Sequence, residues 1–176
     1  MTSFLVTGLE SSTTRAVSRI ISTNLGIKKP EDIIDKDFED NFYVSNDHYR
    51  VTHCSMPHGV SDYRHDAILD LNLYLDIIES EWDNIIVCTR DYNCSLQSKI
   101  NNHQSDIHLA ITEHNVGISY LNKIIRYDNA KLFSYETWRL FKDTYLEIFL
   151  NSLNIDYNVR AQVQDVNEKY LSELIS

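Results

Sequence analysis

The sequence predicts an α/β domain with three layers: a central parallel sheet of four or five strands, covered by helices on both faces. Three observations predict it. Short apolar, β-branched runs alternate with stretches of helical periodicity along the whole chain, and such alternation builds parallel sheets. At 176 residues and 43% hydrophobic, with 11% aromatics, the chain suits one domain, 1–176, with a sizeable core. With only four Gly and two Pro it is neither fibrous nor low in complexity, and it shows no internal repeat, linker or domain boundary.

Phe4-Leu5-Val6-Thr7-Gly8 opens the chain as a buried strand. Serines and threonines at 11 to 14 lead into a helix whose apolar face is Val17, Ile20, Ile21 and Leu25, and Gly26 stops it. Residues 28 to 47 are acidic and weakly patterned, and read as a short helix and a loop. Tyr49 to Cys54 is the second strand. Ile68, Leu71, Leu75 and Ile78 recur at helical spacing. Asn84 to Thr89 is the clearest strand, uncharged and β-branched. Helices follow at 92 to 102 and at about 106 to 126. Lys131 to Tyr135 is the fourth strand, and Trp138, Phe141, Tyr145, Ile148, Phe149 and Leu153 mark a long amphipathic helix. The tail from 159 onward reads as helical.

Twenty-six acidic against 16 basic residues give a formal charge of −10. That argues against nucleic acid as a partner, since polyanion binding needs clustered cations, yet it leaves room for one local anion pocket. The first residues, Met1 to Val6, carry no basic region or small-residue cleavage site, unlike a signal peptide. No apolar run approaches the ~20 residues that span a bilayer. Cys54, Cys88 and Cys94 are odd in number and lack C-x-x-C spacing, which suits a reducing, cytoplasmic setting. The seven His are spread between 48 and 114 without H-E-x-x-H, so no metal is expected.

Open parallel sheets bind ligands at the carboxyl ends of their strands, which singles out the loops after residues 8, 54, 89 and 135. The first, Gly8-Leu9-Glu10-Ser11-Ser12-Thr13-Thr14-Arg15, joins a strand to a helix N-terminus. Unpaired N–H groups there attract phosphate, and hydroxyls add donors. It is not a Walker loop: the G-x-x-x-x-G-K-[ST] pattern is missing, and Glu10 stands inside it. Two uses remain open for Ser11 and Ser12, a helix cap or a phosphate cradle.

Residues 9 to 15 resemble the 5′-phosphosulfate loop, roughly P-K-S-G-T-T-W, of the sulfotransferases, a family with a P-loop NTPase-like fold. The segment Thr89-Arg90-Asp91-Tyr92-Asn93-Cys94-Ser95-Leu96-Gln97-Ser98 resembles the family's strand end R-N-P-x-D-x-x-x-S, with Arg90 and Ser98 at the matching spacing. Val51-Thr52-His53-Cys54-Ser55-Met56-Pro57 is similar to the strand end K-T-H-x-P, with His53 at the His; Val51 holds the Lys position, with Arg50 beside it. Leu132-Phe133-Ser134-Tyr135-Glu136 looks like the family's late strand with Tyr-Glu. The four matches occur in order over residues 4 to about 153.

The resemblance implies 3′-phosphoadenosine 5′-phosphosulfate (PAPS) as sulfuryl donor, a hydroxyl on a small molecule or carbohydrate as acceptor, and no metal. It implies that Ser11, Ser12, Thr13 and Thr14 cradle the 5′-phosphosulfate, and that Arg90 and Ser98 hold the 3′-phosphate. His53 would be the base and Tyr135 the adenine contact. Read from the residues alone, a strand-end His such as His53 is more often a satisfied structural residue, and Tyr135 is equally a core aromatic. His58, Asp62 and Arg64 lie just beyond the His53 strand and would line the acceptor pocket. Glu10 stands where the family has its loop Lys: it points away, or serves as the acceptor-side base, or the donor differs. Arg15 is placed to supply positive charge instead. The family's glycine-rich C-terminal lid is missing, since no Gly follows residue 150. Two rival readings are another nucleotide-dependent transferase or kinase, with Asp91 as its Mg²⁺ carboxylate, and a non-catalytic nucleotide-binding relative.

Overall fold

The computed structural model describes residues 1–9, 12–27, 43–56, 81–103 and 106–159. In chain order these form β1 (Thr2–Leu9), α1 (Thr14–Asn24), β2 (Tyr43–Ser45), β3 (Tyr49–Met56), β4 (Asn84–Thr89), α2 (Tyr92–His103), α3 (Ile107–Ile124), β5 (Ala130–Ser134) and α4 (Tyr135–Ser152). Glu10, Ser11, His58, Asp62 and Arg64, the helical pattern at 68 to 78 and the tail beyond 159 lie outside the described residues.

The strand order is β2-β3-β1-β4-β5. β1 runs parallel to β3 and to β4, and β4 runs parallel to β5. The wholly parallel sheet expected from sequence needs correction, because β2 pairs antiparallel with β3. β2 is three residues long and only Val44 is buried, too little pattern to separate it from the polar sequence before it. Asn46 makes the turn: its Oδ1 accepts from the N–H groups of His48 and Tyr49, both at 2.9 Å.

β1 lies at the centre and is apolar on both faces, so Phe4, Leu5 and Val6 are all buried. On one face Phe4, Val6, Val51, Ile86 and Phe133 pack with Val17, Ile20 and Ile21 of α1 and with Trp138, Leu146, Phe149 and Leu150 of α4. On the other, Leu5, Leu9, Ile85 and Val87 pack with Leu121 and Ile124 of α3. Each fully buried side chain of this kind contributes about 1.5–3 kcal/mol of transfer free energy. Ser18 and Ser22, on the buried side of α1, donate to the carbonyls of Thr14 and Ser18 at 3.0 and 2.6 Å, so their hydroxyls are satisfied locally.

α4 starts earlier than its apolar spacing suggests. Tyr135, read as the end of the fourth strand, is its first residue, and Ser134 is the cap, with Oγ accepting from Thr137 N–H. No described helix is long and apolar enough to cross a membrane.

The strand order locates the point of the sheet at which open α/β folds place their ligand crevices. From β1 the chain moves to β3 on one side, and from β4 to β5 on the other, so the direction of winding reverses between β1 and β4. The carboxyl ends of those two strands border the crevice that such a reversal opens.

Candidate functional site

Gly8 and Cys88 are register partners near the carboxyl ends of β1 and β4. A Cβ on Gly8 would stand 2.5 Å from the Cys88 carbonyl oxygen, 3.1 Å from Thr14 Cγ2, and against Ser12 Oγ. The loop after β1 therefore folds back tightly over the β1–β4 junction, and only glycine leaves room for it. Leu9 C=O accepts from Ser12 N–H at 2.9 Å and starts that reversal.

Thr13 completes it at φ 71° and ψ 12°, left-handed backbone that costs a β-branched residue about 1–2 kcal/mol. Its hydroxyl donates to Ser12 C=O rather than capping α1. The first turn of α1 has no acidic side chain and its N-cap makes no side-chain hydrogen bond. Nothing on the helix itself offsets the partial positive charge of its N-terminus. Ser12 is 1% exposed, and its Oγ has no hydrogen-bond partner among the described residues, a cost of about 1–3 kcal/mol for a buried hydroxyl. Of the two uses left open by the sequence, the cap is not the one Ser12 or Thr13 makes. Arg15 sits half-buried in the first turn of α1.

His53 lies within β3, three residues before its end, on the face covered by α1. Its Nε2 is 2.9 Å from Thr14 Oγ1 and 3.0 Å from Ser55 Oγ, and those hydroxyls are 2.8 Å apart. Thr14 thus belongs both to the loop–helix junction and to the surroundings of the imidazole. A ring nitrogen with two hydroxyls in reach can pass a proton in either direction, because each hydroxyl donates and accepts. Ser55 was not singled out from sequence; its signal was the two-residue spacing from His53, which puts both on one face of a strand.

Arg90 follows β4 and is half-buried, its guanidinium carbon 5.4 Å from the centre of the Tyr135 ring, a cation–π distance. Tyr135 is itself 1% exposed and meets Trp138 edge-on. Arg90 and Tyr135, far apart in sequence, are brought together, with Arg90 over the ring that was expected to meet an adenine. Ser98 is buried on the face of α2 that also carries Cys94, Ser95 and Lys99. That face meets α3, where Ser95 Oγ is 3.1 Å from His114 Nε2 and Lys99 pairs with Glu113.

Asp91 is engaged in the fold. Its Oδ1 accepts from Cys94 N–H at 2.9 Å and caps α2, and its own N–H donates to Glu136 Oε1 at 2.7 Å. Arg50 belongs to the opposite end of the sheet. It pairs with Ser3, and its guanidinium stacks over Tyr43 at 4.8 Å and Trp82 at 5.5 Å. Arg50, which stands in sequence beside the position of the family's Lys, is thus away from the carboxyl ends of the strands.

None of the three cysteines is a reactive thiolate. Burial pushes Cys54 up to about 12 and Cys88 higher still. Cys94 is raised by burial and then by the charge of Asp91. Among the described residues no three His, Cys, Asp or Glu side chains gather as metal ligands would.

Comparison with protein-family models, with curated proteins and with solved structures finds no match to this chain.

Proposed function

We propose that the protein is a sulfotransferase that moves a sulfuryl group from PAPS to a hydroxyl of a small molecule or carbohydrate. The observation that carries this reading is the buried Ser12 hydroxyl, without a hydrogen-bond partner among the described residues, beside the N-terminus of α1, whose first turn holds no acidic residue. It stands at the strand pair where the winding reverses, and Arg90 follows the neighbouring strand. A loop donor set and a guanidinium on adjacent strand ends suit a ligand with two separate phosphate groups.

PAPS, when bound, supplies the sulfuryl group and a stable phosphate leaving group. The Ser12 hydroxyl and the backbone N–H groups of Thr13 and Thr14 then donate to the 5′-phosphosulfate, which satisfies the Ser12 hydroxyl and leaves the Thr14 hydroxyl at His53. Arg90 holds the 3′-phosphate, while Ser98 stays buried on the α2 face that meets α3. His53 accepts the acceptor's hydroxyl proton at Nε2 as the acceptor oxygen bonds to sulfur and the bridging oxygen–sulfur bond breaks. Thr14 and Ser55 orient that imidazole. Positioning and preorganised donors supply most of the acceleration. The kinase reading is weaker, because Asp91, its one well-placed carboxylate, already caps α2 through Oδ1.

Release of 3′-phosphoadenosine 5′-phosphate (PAP) from PAPS, followed across a panel of phenols and sugars, tests the reading. His53→Ala is expected to lower turnover by about two orders of magnitude or more and to leave PAP affinity within about twofold. Unchanged turnover would remove His53 as the base, and a protein that releases PAP with no acceptor on the panel would fail the reading.

A further inference from the structure

The peptide that carries Arg90 is clamped from an unexpected direction. Glu136 Oε1 accepts from Asp91 N–H at 2.7 Å, and Asp91 Oδ1 accepts from Cys94 N–H at 2.9 Å. The Arg90–Asp91 peptide is therefore tied to α4 on one side and to α2 on the other.

Glu136 itself stands on a rigid base. Ser134 caps α4, and Ser134 N–H donates to the phenol oxygen of Tyr145 at 2.8 Å. The Tyr145 ring packs on Phe133 and Phe149 in the core. One residue before Glu136, the ring of Tyr135 lies under the Arg90 guanidinium. The dipeptide Tyr135-Glu136 at the end of β5 thus fixes the dipeptide Arg90-Asp91 at the end of β4, main chain by carboxylate and side chain by ring. A flexible Arg loses most of its advantage as a phosphate fork unless its base is held.

We propose that Glu136 is a positioning residue for Arg90 and sets the preference for a ligand bearing a 3′-phosphate over one lacking it. The role rests on the reading of Arg90 as the 3′-phosphate contact. It belongs to the acceptor oxygen of the side chain rather than to its charge, so glutamine serves and alanine does not.

Calorimetric titration with PAP and with adenosine 5′-phosphosulfate, which lacks the 3′-phosphate, tests this on wild type, Arg90→Ala, Glu136→Ala and Glu136→Gln. Arg90→Ala is expected to weaken PAP by more than about tenfold and adenosine 5′-phosphosulfate by less than about twofold. Glu136→Ala should show the same selective pattern at about five- to tenfold, and Glu136→Gln should stay within about twofold of wild type for both ligands. If Arg90→Ala does not discriminate between the ligands, the reading of Arg90 fails. If Arg90→Ala discriminates and Glu136→Ala leaves PAP unchanged or weakens both ligands alike, the positioning role is overturned. A Glu136→Gln variant as weak as Glu136→Ala would overturn the assignment to the acceptor oxygen.

Discussion

Gly8→Ala is the substitution whose consequence the structure defines best. The new methyl would lie 2.5 Å from the Cys88 carbonyl oxygen, and ordinary van der Waals contact begins at 3.4 Å. Something must move by roughly 1 Å to restore normal contact, which removes the favourable part of the dispersion well for the atoms displaced. The Ser12 hydroxyl can rotate away from the methyl. The Cys88 carbonyl cannot move so easily, because it belongs to β4 and Cys88 is the register partner of Gly8. The cost is therefore about 3 kcal/mol, the upper part of the overpacking range. With a urea dependence of about 2 kcal/mol per molar, the unfolding midpoint should fall by about 1.5 M. Gly26→Ala is the control. It has nothing within 4 Å but sits at φ 65°, so backbone strain alone should cost about 1 kcal/mol, or about 0.5 M. A Gly8→Ala midpoint no lower than that of Gly26→Ala would refute the close approach of the Cys88 carbonyl to Gly8 at the β1–β4 junction.

Other expectations follow from the same geometry. Glu113→Ala removes the carboxylate that pairs with the fully buried Lys99 and should destabilise by about 3–5 kcal/mol, with most of it recovered in Lys99→Met/Glu113→Leu; a loss below about 1 kcal/mol by urea denaturation would contradict the pairing. The N–H and hydroxyl of Ser3 hold the Asp83 carboxyl below its usual range. Its folded value lies below its unfolded one, so the stabilisation is present above the unfolded pKa of about 3.9 and fades as pH falls through the folded value. Asp83 is exposed, so Asp83→Asn should cost less than about 1 kcal/mol at pH 6 and nearly nothing near pH 2; a difference independent of pH would contradict this.

Much of the scaffold was legible because burial on two faces leaves a clear mark. Phe4-Leu5-Val6 and Ile85-Ile86-Val87 are uninterrupted apolar runs, and they are the two strands at the centre of the sheet. β2 left no such mark, since a three-residue edge strand buries only Val44. Tyr135 was assigned to a strand because strand and helix meet there without a break, and Ser134 serves as the last strand residue and the helix cap at once. The loops of the site were found by rule, from strand ends. Their wiring was not. Spacing could suggest Arg90 and Tyr135 separately, but parallel pairing of β4 with β5 is what stacks one on the other. Likewise Thr14 meets His53 only because α1 returns across β3. Arg50 misled for a related reason: its sequence neighbourhood suggested the rim, while the length of β3 carries it to the other end.

A ligand with phosphates at both the 3′ and the 5′ position of adenosine is the occupant proposed for the β1–β4 strand ends. Calorimetric titration of the protein with PAP, set beside ATP, tests it most directly. A one-to-one isotherm with a dissociation constant of about 10 μM or lower, at least about tenfold tighter than ATP, is the predicted result. No measurable heat from PAP at millimolar concentration would contradict it.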